Sequence, residues 1–412
     1  MRILLVNNFY KLGSTGKIVD SIGRCLRDMG HETLICYGYG DEYYDKNSVK
    51  ICTKIEHLFN AFLNRITGIQ YGGYYFSNQR LLNLINDFHP DIIHLHCING
   101  YMVNVYSLIS SIARLEIKTV ITLHAEFFYT AGCSHAYECN KWKTNCFDCR
   151  FFRTATSSFF FDKSETCWRK MYNSIRKFAG QNLMVTAVSP WLATRAKQSS
   201  ILKDYNIEYV PNGIDVNIFR RIKSKKSIIE SNYLHKVIFV TPYFSDDSLD
   251  QKGGKFLSSI AIAHSDTLFI VVSSKIAKTI SNLPKNIKIW GRAENQKELA
   301  VLYNEADVTL ILSKRETFSM VTAESLCCGT PVVGFKAGGP ESISLKEFTK
   351  FVDYGNLDAI NIALNEFLNR DFDKDLISKS AMNKYSDIYM AKSFVRCYEV
   401  IYNNNSDEIN MR

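Results

Sequence analysis

The segment Arg2-Ile-Leu-Leu-Val-Asn-Asn8 at the start of the chain is a short apolar run that ends in polar residues. A segment with two glycines, Gly13-Ser-Thr-Gly16, comes next, and apolar residues then recur at helical spacing as far as Met29. Residues 33–37 form a second apolar run. This order predicts a strand, a glycine turn, a helix and a second strand parallel to the first, which is how a doubly wound α/β sheet begins.

The same pattern continues along the chain and restarts in its second half. Further apolar runs of strand length lie at residues 91–96, 119–124, 183–188, 236–240, 268–272, 287–290, 308–312 and 331–335. Runs that are apolar throughout are typical of parallel strands with helices on both faces. We therefore expect two doubly wound α/β domains that face a central cleft, with ligands beyond the carboxyl ends of the strands.

The length of 412 residues is too great for one ordinary core. We predict an N-terminal domain at residues 1–190, a C-terminal domain at 191–390, and a helix and tail at 391–412 that pack back on the N-terminal domain. The boundary lies in the region 190–235, where Arg220-Arg-Ile-Lys-Ser-Lys-Lys226 is typical of an exposed connector.

The stretch from Ser313 to Glu324 is the most informative about chemistry. It follows a predicted strand and begins a helix, with Glu316 in the loop and Glu324 in the helix. A helix N-terminus presents unpaired N–H groups and the positive end of the helix dipole, which suits an anion. Two carboxylates beside a diphosphate would be repelled unless they bind hydroxyl groups, so the arrangement predicts a nucleotide-sugar ligand.

These residues also carry a family resemblance. Glu316 and Glu324, followed by Cys328-Gly-Thr-Pro-Val-Val333 and Gly338-Gly-Pro-Glu341, resemble the signature of the family 4 retaining glycosyltransferases, which have the two-Rossmann-domain GT-B fold. Two further segments stand in the family's order: Val210-Pro-Asn-Gly-Ile-Asp215 and Gln251-Lys-Gly253. The resemblance implies transfer of a hexose-type sugar from a UDP- or GDP-sugar to a glycan or lipid-linked glycan, in surface polysaccharide biosynthesis.

The resemblance also implies a role for individual residues. Glu316 would contact hydroxyls of the donor sugar, and Glu324 would hold the ribose. Lys252 would pair with the diphosphate and stabilise the leaving group as negative charge develops. His124 would hydrogen-bond the donor sugar near the reacting centre. Further contacts with the donor would come from the main-chain amides of Thr317, Phe318 and Ser319. Gly16 would lie in a turn near the phosphates, and Arg292 would provide a basic side chain.

Two positions depart from the family pattern. Members usually have an arginine about six residues before the lysine, where this chain has Asp246. The histidine at the strand end is often followed by aspartate, whereas His124 is followed by Ala125 and Glu126. Diphosphate binding would then depend more on Lys252, or on another base such as Arg292.

Two other functions share this architecture. Nucleotide-sugar 2-epimerases have the same fold but need no separate acceptor, and a third possibility is a protein that binds a nucleotide sugar without turnover. Because Lys252 and helix amides take the place of a metal at the diphosphate, we expect no catalytic metal.

Four of the twelve cysteines are clustered in an insertion at 133–149, at Cys133, Cys139, Cys146 and Cys149. The spacing of the last two is a recurrent metal-ligand pair, and four thiolates would complete a tetrahedral structural zinc site, with His135 as a substitute ligand. A metal would order a polar segment that folds poorly alone. The alternative is four free thiols or a disulfide.

The net charge of +9 favours anionic partners. No nucleic-acid-binding module is recognisable, so we expect no nucleic acid and rank phosphorylated substrates and lipid headgroups higher. No apolar run reaches the roughly 18–20 residues of a membrane span, and the first run is too short for a signal peptide. These features predict a cytoplasmic protein.

One predicted helix bears on the membrane. Residues 54–66 place six apolar side chains on one helical stripe, and an aromatic run at 71–76 follows. The stripe predicts either an ordinary helix facing the core or a surface that docks on the anionic inner face of the cytoplasmic membrane, where a lipid-linked acceptor would lie.

Overall fold

The computed structural model of the chain describes residues 1–43, 45–74, 76–223, 227–247, 250–278, 280 and 282–403. Parts of three predicted features lie outside these residues: Tyr75 of the aromatic run, positions 224–226 of the connector, and positions 404–412 of the tail. The chain forms two compact units, one made of Met1–Val210 with Met390–Arg412 and the other of Pro211–Tyr389.

The first unit contains a seven-stranded parallel sheet. Its strands are β1 (Arg2–Phe9), β2 (Glu32–Tyr39), β3 (Ser48–Lys50), β4 (Ile92–Leu95), β5 (Lys118–Leu123), β6 (Leu183–Ala187) and β7 (Asn206–Tyr209). They are ordered β3-β2-β1-β4-β5-β6-β7, and every neighbouring pair is parallel. The progression along the sheet reverses between β1 and β4, as in doubly wound nucleotide-binding folds.

Helices connect these strands. They are α1 (Gly13–Asp28), α2 (Lys54–Thr67), α3 (Phe76–Phe88), α4 (Val105–Arg114), α5 (Phe127–Thr130), α6 (Phe152–Ala155), α7 (Ser164–Ile175) and α8 (Pro190–Ala196). The predicted glycine turn at 13–16 is wrong, because α1 begins at Gly13 and Gly16 lies inside it. Gly13 has a left-handed φ of 64° and so takes the chain from the loop into the helix.

The second unit repeats the design with six parallel strands. They are β8 (His235–Thr241), β9 (Thr267–Ser273), β10 (Ile287–Gly291), β11 (Val308–Ile311), β12 (Val332–Phe335) and β13 (Thr349–Val352), ordered β10-β9-β8-β11-β12-β13. Its helices are α9 (Leu257–Ala263), α10 (Gln296–Glu305), α11 (Met320–Cys327), α12 (Gly339–Ile343), α13 (Leu357–Leu368) and α14 (Lys374–Tyr385). The prediction of two doubly wound, Rossmann-like domains is confirmed.

The chain passes from the first unit to the second between Val210 and Pro211, inside the predicted boundary region of residues 190–235 but beyond the predicted domain end at residue 190. The first unit extends to Val210, beyond residue 190, because β7 pairs with β6 and completes the sheet. Arg220 and Arg221 therefore lie within the second unit, where Arg221 Nη1 donates to Asn304 Oδ1 at 3.2 Å. The last helix, α15 (Asp387–Asn403), begins in the second unit, and its residues from Met390 onward belong to the first.

Candidate active site

In the second unit, the structure brings Lys252 and Glu316 together. Lys252 lies in the loop after β8 and Glu316 in the loop after β11, and these two strands are neighbours. Lys252 Nζ lies 2.5 Å from Glu316 Oε1, which also accepts from Ser313 Oγ at 2.9 Å. Both charged side chains keep contact with solvent, at 34% and 23% exposure, so a ligand can reach them.

Glycines allow the two loops to approach closely. Gly253 has a φ of 80°, and a Cβ there would lie 2.1 Å from the carbonyl oxygen of Leu312. The loops are also joined by a main-chain hydrogen bond of 2.9 Å from Lys314 N to Gln251 O. The carboxylate of Asp250 accepts from the main-chain N–H groups of Lys252 and Gly254, both at 2.9 Å. Lys252 is thus held on a loop that only glycine at position 253 can form.

A tight turn precedes α11, where the sequence predicts an anion site. Ser319 has a left-handed φ of 80° and caps the helix, its Oγ accepting from Thr322 N at 3.3 Å. A Cβ on Gly339 would lie 2.5 Å from Phe318 N, so the loop after β12 packs directly on this turn. Phe318 is buried and Thr317 half-buried. The three predicted main-chain donors therefore stand at the helix N-terminus next to Glu316.

Glu324 lies further along α11 and is half-buried. Its Oε2 accepts from Tyr303 Oη at 3.2 Å. Burial, and then the carboxylate of Glu324, raise the pKa of Tyr303 well above its usual value, so Tyr303 acts as a hydrogen-bond donor. Tyr303 is a site residue that the sequence did not indicate, because it lies on α10 among apolar residues.

Arg292 lies apart from that cluster. Arg292 is exposed and follows β10, the edge strand, so β9 separates its strand from β8. Asp246, which stands where relatives usually have an arginine, is exposed in the loop after β8. The structure leaves a diphosphate role for Arg292 as a prediction.

In the first unit, His124 follows β5, is half-buried, and forms a chain with the buried His94 and His96. Its Nε2 lies 3.0 Å from His96 Nδ1, and the His96 ring packs against that of His94, with 3.9 Å between centroids and 34° between the ring planes. His94 Nδ1 lies 2.7 Å from Tyr398 Oη, and its Nε2 lies 2.6 Å from Thr122 Oγ1. His96 therefore contacts His124 directly, and His94 contacts His96.

These three histidines are neutral at pH 7. Burial lowers the pKa of His124 to about 4, and burial with the neighbouring imidazoles lowers the pKa of His94 and His96 well below the usual value. His96 Nε2 is buried without a hydrogen-bond partner, which costs free energy. A positive charge on the buried ring would increase that cost. His124 can therefore donate or accept a hydrogen bond, but it carries no positive charge.

Gly16 contributes through packing. It is buried in the first turns of α1, and a Cβ there would lie 3.3 Å from the main chain of both Phe9 and Lys11. Lys11 N also donates to Gly16 O at 3.3 Å. Gly16 therefore lets the start of α1 lie against the carboxyl end of β1, where ligands of such sheets bind.

The loop after His124 is anchored by a buried carboxylate. Glu126 is fully buried and accepts from Tyr129 Oη at 2.8 Å, Ala136 N at 2.7 Å and Arg195 Nε at 2.7 Å. The Arg195 guanidinium also lies over the ring of Trp142, 4.7 Å from its centroid. Glu126, two residues after His124, thus joins this loop to the cysteine insertion and to Arg195.

The four clustered cysteines line one pocket of about 330 Å³ and are not joined by disulfides. Burial, followed by the nearby Cys149 and Cys139, raises the pKa of Cys133 to about 12. Within the part of the chain that the structure describes, no group of three or more potential ligands is placed to hold a metal ion. The four thiols surround a pocket rather than meet at one point, and zinc binding stays a prediction.

The paired sheets and the charged strand-end site define a class, the GT-B glycosyltransferases. Two family models match the chain: Glycosyltransferase Family 4 over residues 15–218, and Glycosyl transferases group 1 over residues 275–386. Each model covers most of one unit, and together they cover most of the chain. The chain belongs to the family 4 glycosyltransferases.

Full-length relatives are distant. The chain is 23% identical over 407 residues to N-acetyl-alpha-D-glucosaminyl L-malate synthase of Bacillus anthracis, covering 95% of this chain and 94% of that protein. It is 20% identical over 402 residues to the putative colanic acid biosynthesis glycosyl transferase WcaC of Escherichia coli, covering 94% and 96%.

Solved structures share the fold. Sucrose-phosphate synthase from Thermosynechococcus elongatus aligns with a TM-score of 0.68 at 13% identity, covering 98% of this chain and all of that one. Anabaena Alr3699/HepE, solved with UDP and glucose, aligns with a TM-score of 0.63 at 16% identity, covering 97% and 99%.

In the portion of the chain that the structure describes, no helix combines the length and the apolar character needed to cross a membrane.

The histidine chain predicts a loss of stability in mild acid. The pKa values of these histidines in the folded protein lie below the value near 6.5 that a histidine has in the unfolded chain. Their contribution to the stability of the fold is therefore complete above pH 6.5 and is lost as the pH falls toward 4. We expect the free energy of unfolding to fall between pH 7 and 5, by about 1.4 kcal/mol per pH unit for each histidine in the steep range. Urea denaturation at several pH values measures this slope.

The His94→Gln variant should show a shallower slope than the wild type, because one buried imidazole is removed. Equal slopes in the wild type and His94→Gln would show that the buried histidines do not titrate in this range.

Proposed function

We propose that the protein transfers a hexose-type sugar, with retention of anomeric configuration, from a UDP- or GDP-sugar to a glycan or lipid-linked glycan during surface polysaccharide biosynthesis. The observation that carries the proposal is the Lys252–Glu316 pair at adjacent strand ends, beside the N-terminus of α11. Two comparisons point the same way, the UDP and glucose bound by Anabaena Alr3699/HepE and the colanic acid context of WcaC.

The diphosphate of the donor is proposed to lie between Lys252 and the turn at 317–319. The N–H groups and dipole of α11 favour an anion there, and the ammonium adds a full positive charge. As the bond to the sugar breaks, negative charge grows on the departing phosphate, and a donor already in place stabilises it without reorganisation. In this state Lys252 exchanges its bond to Glu316 for one to phosphate.

Glu316 is then available to the sugar. Its carboxylate lies in the loop that leads into α11 and accepts a hydrogen bond from Ser313 Oγ. It can also accept hydrogen bonds from two sugar hydroxyls. Glu324 is proposed to bind the ribose hydroxyls. The hydrogen bond from Tyr303 occupies one side of that carboxylate and orients it, which leaves acceptor capacity for the ribose.

His124 is proposed to hydrogen-bond the donor sugar as a neutral imidazole. Its Nε2 is engaged with His96, so the tautomer of one ring constrains the other. Arg292 is proposed to contact a phosphate of the donor. Gly16 is proposed to contribute by letting the start of α1 approach the donor closely. No dedicated general base is assigned, since the departing phosphate can take the acceptor proton, and no catalytic metal is required by these residues.

Product analysis tests the proposal directly. The protein is incubated with labelled UDP- and GDP-sugars and a panel of acceptors that contains lipid-linked glycans and small hydroxy acids, because one relative is named an N-acetyl-alpha-D-glucosaminyl L-malate synthase. Transfer with the donor's anomeric configuration, read by NMR, is the expected result. An isomerised free sugar identifies an epimerase, and a thermal shift with nucleotide sugars but no product identifies a binding protein.

We also propose that the cysteine cluster holds a structural zinc ion. The four thiols already border one pocket, and Trp142 Nε1 and the Lys141 ammonium donate to main-chain carbonyls within the insertion. Thiols with raised pKa values stay protonated near neutral pH, and a metal that binds them must displace those protons. The site would order the loop after His124 and would take no part in the reaction.

Replacing Glu316 should remove activity while leaving the fold nearly intact. Its ion pair with Lys252 is partly exposed, so its loss costs about 1 kcal/mol or less of stability. We expect Glu316→Ala to lower the transfer rate about a hundredfold or more, because the sugar loses its orientation. Initial rates and urea denaturation provide the two measurements. Glu347→Ala, at an exposed glutamate of the same unit, is the control, and equal rates in both variants contradict the role.

Replacing Glu324 should act on the nucleotide. Loss of hydrogen bonds from a carboxylate to ribose costs about 1.5–3 kcal/mol, or roughly ten- to a hundredfold in affinity. We expect calorimetry to show this weakening for free UDP or GDP with Glu324→Ala. An unchanged dissociation constant would remove the ribose assignment.

If zinc is present, protein purified without chelators should contain about one zinc ion per chain. Cys146→Ser should release the metal and lower the melting temperature, because a structural site contributes to folding its own loop. Cys167→Ser is the matched control, as Cys167 lines the same pocket outside the predicted set. A metal content near zero by elemental analysis, with all four thiols reacting in the folded protein, would establish the free-thiol alternative.

A further inference from the structure

Helix α2 carries its apolar residues on the side that faces away from the protein. Ile55 is 80% exposed, Leu58 58% and Phe62 53%, whereas the buried positions include Asn60 and Asn64. A surface helix normally buries its apolar stripe and exposes its polar face. In α2 the two faces are exchanged, so the stripe seen in the sequence does not face the core.

The buried asparagines explain this orientation. Asn60 Nδ2 donates to Tyr101 O at 3.2 Å, and its Oδ1 accepts from Tyr74 N at 2.7 Å. Asn64 Nδ2 donates to Thr156 O at 3.0 Å. These bonds to main-chain atoms fix the rotation of α2 about its axis. Exposure of the apolar stripe is therefore part of the fold.

More aromatic side chains extend the stripe at both ends. Phe159 N donates to Arg65 O at 2.8 Å, which places three consecutive phenylalanines, 159–161, beside the end of α2, and each is more than half exposed. Near the helix start, Phe59 packs on Tyr74, which stacks on Phe76 at 5.6 and 5.4 Å between centroids. We call the exposed apolar side chains of α2, 74, 76 and 159–161 the aromatic face. Soluble proteins rarely expose so many contiguous apolar groups without a partner.

The segments that form this face carry an excess of positive charge. Residues 53–80 and 147–164 contain six basic and three acidic side chains. The acids are engaged locally: Glu56 pairs with Arg80, Asp148 lies 3.7 Å from Lys141, and Asp162 accepts from Cys149 N at 2.6 Å. The bases at the border, Lys54, Arg65, Arg150, Arg153 and Lys163, are exposed.

We propose that the aromatic face docks on an anionic lipid bilayer. Phenyl and aliphatic groups enter the boundary between headgroups and acyl chains, and the surrounding lysines and arginines contact lipid phosphates. A second copy of the chain fits less well, because a two-fold interface would place these bases opposite one another. Docking stands independently of the proposed reaction. If the acceptor is lipid-linked, docking also brings it to the unit that carries His124.

Vesicle sedimentation tests the proposal with the full chain. The protein is mixed with vesicles of phosphatidylcholine alone or of equal parts phosphatidylcholine and phosphatidylglycerol. We expect binding to the anionic vesicles that weakens with salt. The double variant that carries Phe62→Ser and Phe160→Ser should bind the vesicles about a hundredfold more weakly, since burying each phenyl group increases the affinity roughly tenfold. Both side chains are exposed, so the variant should melt like the wild type.

The matched control is Ile262→Ser with Ile362→Ser, which removes two side chains that are 71% and 70% exposed in the second unit. Equal loss of binding in control and test variants would overturn the proposal, as would wild-type protein that stays in solution with anionic vesicles. A dimer that Phe62→Ser dissociates would overturn it too, by showing that a second copy covers the face. Because the readout is binding, a failure of the proposed transfer reaction would leave this result unaffected.

Discussion

The ion pair between Lys252 and Glu316 depends on the parallel pairing of β8 with β11. Loops that leave the carboxyl ends of neighbouring parallel strands emerge at the same edge of a sheet, so two charges far apart in the chain become neighbours. The two loops approach each other as closely as main-chain atoms permit, because Gly253 contacts the carbonyl group of Leu312. The same loop after β11 continues into α11, and thus one topological constraint places the cation, the carboxylate and the helix N-terminus together.

Much of this arrangement could be predicted because its signals are local. Long apolar runs indicated the central strands, and the spacing of Glu316 and Glu324 on a strand–loop–helix segment indicated the site. The two edge strands of the first unit were missed for a physical reason: β3 and β7 are short, and β7 exposes Asn206 and Glu208, so neither makes an apolar run. A short strand at an edge is stabilised by its neighbour's main chain more than by its own side chains.

Other features could not be read from the sequence because their partners are remote. His94 is held by Tyr398, and Glu126 by Arg195, across separations of 304 and 69 residues. Periodicity showed that α2 has an apolar stripe, but it could not show which side of the helix faces the protein. That choice is made by Asn60 and Asn64, whose amides bind main-chain groups that only the folded chain brings near them. Hydrogen bonds of buried polar groups here outweigh the usual rule of burying the apolar face.

The two units also differ in the charge they present, and this difference limits the chemistry open to each. The strand ends of the second unit carry an ammonium and carboxylates, whereas those of the first carry three imidazoles that burial keeps neutral. A neutral imidazole cannot offset the charge of a departing phosphate, so in the proposed reaction that task falls to Lys252 and the start of α11. A neutral imidazole can, however, form a hydrogen bond with a hydroxyl group without attracting an anion. A sugar, being neutral and rich in hydroxyls, suits the first environment, and a diphosphate suits the second.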